Sequence, residues 1–155
     1  MLIIFDKDST LVASIEGRPA NTIEEHTLMP GVLAKCQQLK AEGHILAVAS
    51  NQGGVAFGYL SYKQAQALMQ YVAGLIGADY ALFCPYHPNG TVKKYARESL
   101  HRKPNPGMLL TIARRAKIDN PDEIVFVGDL DTDQEAAKRA GIQFVWAADF
   151  FSSSL

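Results

Sequence analysis

The chain opens on four consecutive apolar residues, Leu2-Ile3-Ile4-Phe5, and short, mainly apolar runs return at Ile45–Ala49, Tyr80–Cys84, Ile124–Val127 and Gln143–Ala147. Apolar runs without polar alternation mark strands buried on both faces of a parallel sheet. Between them the apolar spacing changes to that of helices. Pro30-Gly31 opens one helix whose apolar positions Val32, Leu33, Cys36 and Leu39 keep helical spacing, and Gly43 ends it. Ser61 and Gln64 form a capping box for a second, which buries Ala65, Leu68, Met69, Val72, Leu75 and Ile76 before Gly77. Asn105-Pro106 reads as an N-cap and first-turn proline for a third, burying Met108, Leu109, Ile112, Ala113 and Ala116. Thr132 and Glu135 read as the capping box of a fourth, stopped at Gly141.

Strands alternating with helices predict an α/β fold: a three-layer, Rossmann-like parallel sheet with helices on both faces. Two stretches escape this pattern. Val12–Met29 is polar and irregular, suiting a small hairpin or flap, and Pro85–Arg102 has no clear period. Neither is long enough to bury a core of its own. A single domain over residues 1–155, with no separate cap domain, is therefore expected.

Composition narrows the picture. Of 155 residues, 48% are hydrophobic and 20% charged, which suits one ordinary globular domain, and the net charge of −1 argues against a strongly basic nucleic-acid surface. Two cysteines, Cys36 and Cys84, cannot build a disulfide framework, and Cys36 falls on an apolar helix face. The first strand leaves no room for a signal peptide, and no apolar run reaches membrane-spanning length. The expected setting is soluble, reducing and cytoplasmic, with no membrane partner; oligomeric state is not legible.

Candidate chemistry lies at the strand ends. The first strand runs into Asp6, with Asp8 two positions on; the second ends in Ser50-Asn51; the fourth ends in Gly128-Asp129, with Asp133 four residues further; Lys103 precedes a helix. Each has an ordinary reading. Asp6 and Asp8 suit a turn, Ser50 a strand end, Asp133 the dipole of a first helical turn, and Lys103 the solvated surface. In a parallel sheet, however, all these ends share one edge, where open α/β sheets bind ligands. Clustered carboxylates there repel one another unless a cation or hydrogen bonds offset the cost.

The segments Asp6-Lys7-Asp8-Ser9-Thr10-Leu11, Ser50-Asn51-Gln52, Arg102-Lys103-Pro104 and Gly128-Asp129-Leu130-Asp131-Thr132-Asp133 stand in the order and spacing of the haloacid dehalogenase superfamily phosphatases. The resemblance spans nearly the whole chain. It is greatest to the small, nearly capless branch (subfamily III) with histidinol-phosphate phosphatase, heptose-bisphosphate phosphatase and the 3′-phosphatase domain of polynucleotide kinase. Ser50–Tyr59 and Arg102–Met108 are similar to that branch's signatures.

The resemblance implies a Mg²⁺-dependent phosphoric monoester hydrolase. Asp6 would be the nucleophile that becomes an aspartyl-phosphate, and Asp8 the general acid and base. Mg²⁺ would bind Asp6, the Asp8 backbone carbonyl and Asp129, with Asp133 behind them. Ser50, backbone amides near Asn51, and Lys103 would hold the phosphoryl oxygens. The implied substrate is a small phosphate ester of the sugar-bisphosphate or histidinol-phosphate type. A phosphorylated nucleic-acid end is the alternative, and a non-catalytic phosphate-binding module the third reading. Such a silent relative should have lost one of Asp6, Asp8, Lys103 or Asp129, and all four are present. A receiver-type signalling domain needs its acceptor Asp after the third strand, where Cys84-Pro85 stands.

The chain departs from the branch at three places. Ser9 replaces the usual Gly after the second Asp. Phe57 stands where heptose-bisphosphate enzymes place an arginine. The zinc-binding loop's four ligand positions read Cys84, Tyr86, Ser99 and His101, so a structural zinc site is expected to be lost, even counting His87. Lys93, Lys94, Arg97, His101 and Arg102 form a local basic surplus in that loop, which reads equally as a solvated surface or as a site for an anionic leaving group.

Overall fold

The first strand is the centre of the molecule. In the computed structural model, described here for residues 1–152, β1 (Leu2–Phe5) is flanked by β2 (Ile45–Asn51) and β4 (Ile124–Gly128), with β3 (Tyr80–Cys84) and β5 (Gln143–Trp146) outermost. The order is β3-β2-β1-β4-β5 and every pairing is parallel. All four residues of β1 are buried, which explains their unbroken apolar run.

Side chains alternate across the sheet and build two cores. Ile3 and Phe5 face α1 (Val32–Ala41), α2 (Tyr62–Ile76) and the short α5 (Ala147–Ser152). Leu2 and Ile4 face α3 (Gly107–Ala116) and α4 (Asp131–Ala140). Cys36 is buried in the first core, and burial pushes its thiol up to about 12. The α/β fold with helices on both faces is thus as the pattern predicts.

Several local expectations need correction. Ala147 begins α5 instead of ending β5. Leu33 and Leu75 hold helical spacing but lie on the flanks of their helices, 43% and 37% exposed. The Ser61–Gln64 capping box forms as expected, with bonds of 2.7 and 3.1 Å. Asn105 does not cap α3; its amide donates to the Ser99 carbonyl and accepts from Arg139. Thr132 and Glu135 do not cap α4 either. That helix starts at Asp131, and the Asp133 carboxylate accepts the backbone N–H groups of Asp129 and Leu130, each at 3.1 Å.

The segment between β1 and α1 is a small hairpin-like flap, pinned by Ala13 N–H to Thr27 O (3.0 Å) and Met29 N–H to Leu11 O (2.8 Å). Leu11, Val12 and Ala20 anchor it in the first core. Among the described residues, no helix is long and apolar enough to cross a membrane.

Candidate active site

The parallel register delivers the strand-end residues to one edge. Phe5 pairs with Val48 on one side and Val127 on the other, so Asp6, Ser50-Asn51 and Asp129 emerge together. Asp6 is 5% exposed, and its Oδ1 accepts from Lys103 Nζ at 2.8 Å. Lys103 comes from the long loop after β3 and is equally buried. Its ammonium also donates to Ala49 O (3.0 Å), stands 2.7 Å from Asp133 Oδ1 and lies over the Phe126 ring.

Burial is the largest influence on this group. It pushes the Asp6 carboxyl up to about 8; Lys103 pulls against the rise and Asp133 adds to it. Burial also pulls the Lys103 ammonium down, but Asp6 and Asp133 outweigh that and hold it above its ordinary value. The ammonium therefore stays charged at neutral pH.

Asp6, Asp129 and Asp133 each bring one carboxylate oxygen within 4.8 Å of the others. Three carboxylates face one ammonium. Asp133 Oδ1, although close to Lys103, is buried without a hydrogen bond. A hard divalent cation with oxygen ligands fits this donor set and its surplus negative charge. Asp133 is itself one of the three, and its Oδ2 is tied to two backbone N–H groups. Gly128 allows the approach, because a Cβ there would fall 2.6 Å from the Asp133 carboxylate. Thr10, which the sequence reading passes over, donates to Asp129 Oδ1 at 3.1 Å and orients it.

The Asp8 carboxylate is not part of this cluster. Its Oδ1 accepts from Lys7 Nζ (2.9 Å) and its Oδ2 from Gln52 Nε2 (3.1 Å). Gln52 also donates to Ser50 Oγ at 2.8 Å, linking the second strand end to Asp8. Lys7 is fully buried and continues to His26 Nε2, 2.9 Å away on the flap. The Thr22 carbonyl, 2.6 Å from His26 Nδ1, accepts a hydrogen bond from the Nδ1–H and leaves Nε2 to accept from Lys7. Burial, then the Lys7 charge, hold the His26 imidazole below its ordinary value, in keeping with a neutral ring. Lys7, Gln52 and His26 are site residues that sequence reasoning missed. Lys7 lay inside the motif, but a lysine between two aspartates reads as a solvated spacer.

The Asn51 backbone stands at the end of β2, and its side chain grips the Lys103 backbone, accepting from the N–H and donating to the carbonyl at 3.0 Å each. Ser9 adopts φ +64°, a conformation natural to the glycine it replaces.

The parallel α/β sheet, the carboxylate cluster with its buried lysine and the acidic residue beside it define a phosphatase of the haloacid dehalogenase superfamily. Residues 1–151 match the family model described as Polynucleotide kinase 3 phosphatase, and the chain belongs to that family. It is 38% identical over 126 residues to D-glycero-beta-D-manno-heptose-1,7-bisphosphate 7-phosphatase of Rhodopseudomonas palustris, covering 78% of this chain and 69% of that protein. The enzyme of the same description from Pasteurella multocida is 34% identical over 146 residues, covering 91% and 77%. Among solved structures, the D,D-heptose 1.7-bisphosphate phosphatase from B. bronchiseptica complexed with magnesium and phosphate superposes with a TM-score of 0.76 at 28% identity, covering 92% of this chain and 78% of that one.

Proposed function

We propose that this phosphatase hydrolyses phosphate monoesters in two steps through an aspartyl-phosphate on Asp6, with Mg²⁺ as its cofactor. The observation carrying the reading is Lys103, whose buried ammonium lies 2.8 Å from Asp6 Oδ1 and 2.7 Å from Asp133 Oδ1. An ammonium placed there draws the Asp6 carboxyl toward its ionised form against the opposing effect of burial, aims it, and meets charge growing on the transferred group.

In the first step the Asp6 carboxylate attacks phosphorus, the ester P–O bond breaks, and Asp8 gives its proton to the departing alcohol. In the second, Asp8 takes a proton from water as that water attacks phosphorus, releasing inorganic phosphate and restoring Asp6. Asp6, Asp129 and the Asp8 backbone carbonyl are the groups we assign to Mg²⁺, with Asp133 supporting them. When bound, the cation supplies charge neutralisation between the carboxylates and the phosphoryl group. Ser50, backbone amides near Asn51, and Lys103 bind the phosphoryl oxygens.

The substrate class we assign is a small phosphorylated metabolite. Support comes from the curated relatives, named for heptose bisphosphates, and from a cavity of about 710 Å³ opening beside Asp8, a volume suited to a small ligand.

The test is hydrolysis of p-nitrophenyl phosphate and of a metabolite panel, with and without Mg²⁺. Asp6→Asn is expected to abolish turnover with the fold intact, and Asp8→Asn to slow alkyl esters by about 10²–10⁴-fold. Near-native activity of Asp6→Asn in EDTA would contradict the reading.

A further inference from the structure

The cavity beside Asp8 has a chemical character of its own. Its border includes Asp8, Gln52, Phe57, Tyr59, Leu60 and His87. Phe57 and Tyr59 stack with ring centroids 5.9 Å apart and planes 21° from parallel. The His87 ring meets Phe57 edge-on at 5.0 Å. Tyr59 is 72% exposed, so this ring cluster has a wet face with no protein against it.

The cation that borders the cavity is committed elsewhere. Arg18, the one Lys or Arg bordering the cavity among the described residues, gives both Nη1 (3.3 Å) and Nη2 to the Glu25 carboxylate and Nη1 also to Pro19 O. From the basic loop after β3, only His87 reaches the cavity. Lys94 lies 5.5 Å over the Tyr95 ring and Arg97 4.1 Å over that of Tyr86. Arg102 borders a separate depression, and it meets the cavity only through its charge, which acts on the His87 ring. A second phosphate on the leaving group would enter a pocket whose single guanidinium already holds a carboxylate. Burying such a dianion without a free cation is costly. A flat ring, by contrast, would meet aromatic faces at van der Waals distance.

We infer that Phe57, Tyr59 and His87 select phosphate monoesters whose alcohol carries a flat aromatic ring over esters carrying a second phosphate. The inference rests on the proposed reaction, with Asp8 protonating the alcohol that leaves into this cavity. It names what the rest of that alcohol looks like.

Three alkyl esters of similar leaving-group acidity separate the possibilities: 2-phenylethyl phosphate, β-glycerophosphate and fructose 1,6-bisphosphate, each with Mg²⁺ and the intact protein. The expected kcat/KM is highest for 2-phenylethyl phosphate. Phe57→Ala and Tyr59→Ala should each shrink its advantage over β-glycerophosphate by roughly 3- to 10-fold, mainly through KM, the scale of one lost ring contact. Phe57→Leu keeps apolar bulk without a ring face and should shrink it in the same direction. A preference for the bisphosphate, or an unchanged ratio in all three variants, would overturn the inference. If none of the esters is hydrolysed, the reaction assignment fails separately. Calorimetric binding of 2-phenylethyl phosphate against β-glycerophosphate to Asp6→Asn then still decides the pocket: tighter binding of the ring ester supports it, and equal binding overturns it.

Discussion

Asn51 grips the main chain of Lys103 at both ends, its Oδ1 accepting the Lys103 N–H and its Nδ2 donating to the Lys103 carbonyl, each at 3.0 Å. Lys103 sits in an irregular loop, yet its ammonium must stand between Asp6 and Asp133. The clamp ties that loop residue to the end of β2, a rigid part of the sheet. Asn51→Ala removes two hydrogen bonds, each worth about 0.5–1.5 kcal/mol net. Denaturant unfolding should show a loss of about 1–3 kcal/mol, and kcat should fall because Lys103 loses its aim. Asn51→Asp keeps the acceptor and should lie between. Unchanged stability and kcat in Asn51→Ala would remove the clamp from the account.

A second strut runs from the flap. His26 Nε2 accepts from Lys7 Nζ, which donates to Asp8 Oδ1, so the flap is coupled to the proposed general acid. Lys7→Met should slow alkyl phosphates on the order of tenfold to hundredfold, with a much smaller effect on p-nitrophenyl phosphate, whose leaving group needs little protonation. His26→Gln retains an acceptor for Lys7 and should cost less. Equal losses on the two substrate types would assign Lys7 a purely structural part.

The raised Asp6 carboxyl makes stability depend on pH and metal. Without a cation, the folded chain keeps that proton up to about pH 8, whereas the unfolded chain releases it near 3.8. The folded state binds more protons across this window, so the contribution is fully present below 3.8 and is lost as pH rises through about 8. In EDTA, Tm should fall from about pH 5 to about pH 8, and Asp6→Asn should lack this component. Added Mg²⁺ competes with the proton and should raise Tm more at the alkaline end. An EDTA profile identical in wild type and Asp6→Asn would contradict the assignment.

We propose that the loop after β3 folds without structural zinc. Two of the family's four ligand positions are Tyr86 and Ser99, and the Arg97 guanidinium stacks 4.1 Å over the Tyr86 ring. Tyr86 also packs against Tyr95, their centroids 6.0 Å apart. Arg97→Ala should cost about 0.5–1 kcal/mol in unfolding experiments, the scale of an exposed cation–π contact. Metal analysis of protein purified without chelator should find no stoichiometric zinc. One zinc per chain, lost in Cys84→Ser, would overturn this.

The three central strands were legible because they are buried on both faces, leaving apolar runs, while the edge strands β3 and β5 are only half-buried and keep a mainly apolar run. Their shared direction then brings Asp6, Ser50 and Asp129 to one edge without knowledge of any contact. Details that depend on competition between neighbours were not. Thr132 and Glu135 have capping-box spacing, but the Asp133 carboxylate reaches two N–H groups at once and starts the helix earlier. The Asn51 side chain's grip on Lys103 joins residues 52 positions apart, beyond any local pattern. Lys7 and His26 are polar residues in polar surroundings along the chain, and only folding the flap onto β1 buries one against the other. Phe57 was visible as a departure, but its edge-on contact with His87 reaches across to a separate loop.

The central claim is a covalent bond between Asp6 and the transferred phosphoryl group, and it is tested most directly by trapping. Wild-type protein with Mg²⁺ and excess ester, quenched in acid within a turnover, should carry the added mass of one phosphoryl group on the peptide containing Asp6. Asp6→Asn should carry none, and Asp8→Asn should accumulate more with p-nitrophenyl phosphate, because removal of the phosphoryl group lacks its base. Turnover with no trapped phosphoryl group in either wild type or Asp8→Asn, or the group found on another residue, would contradict the account.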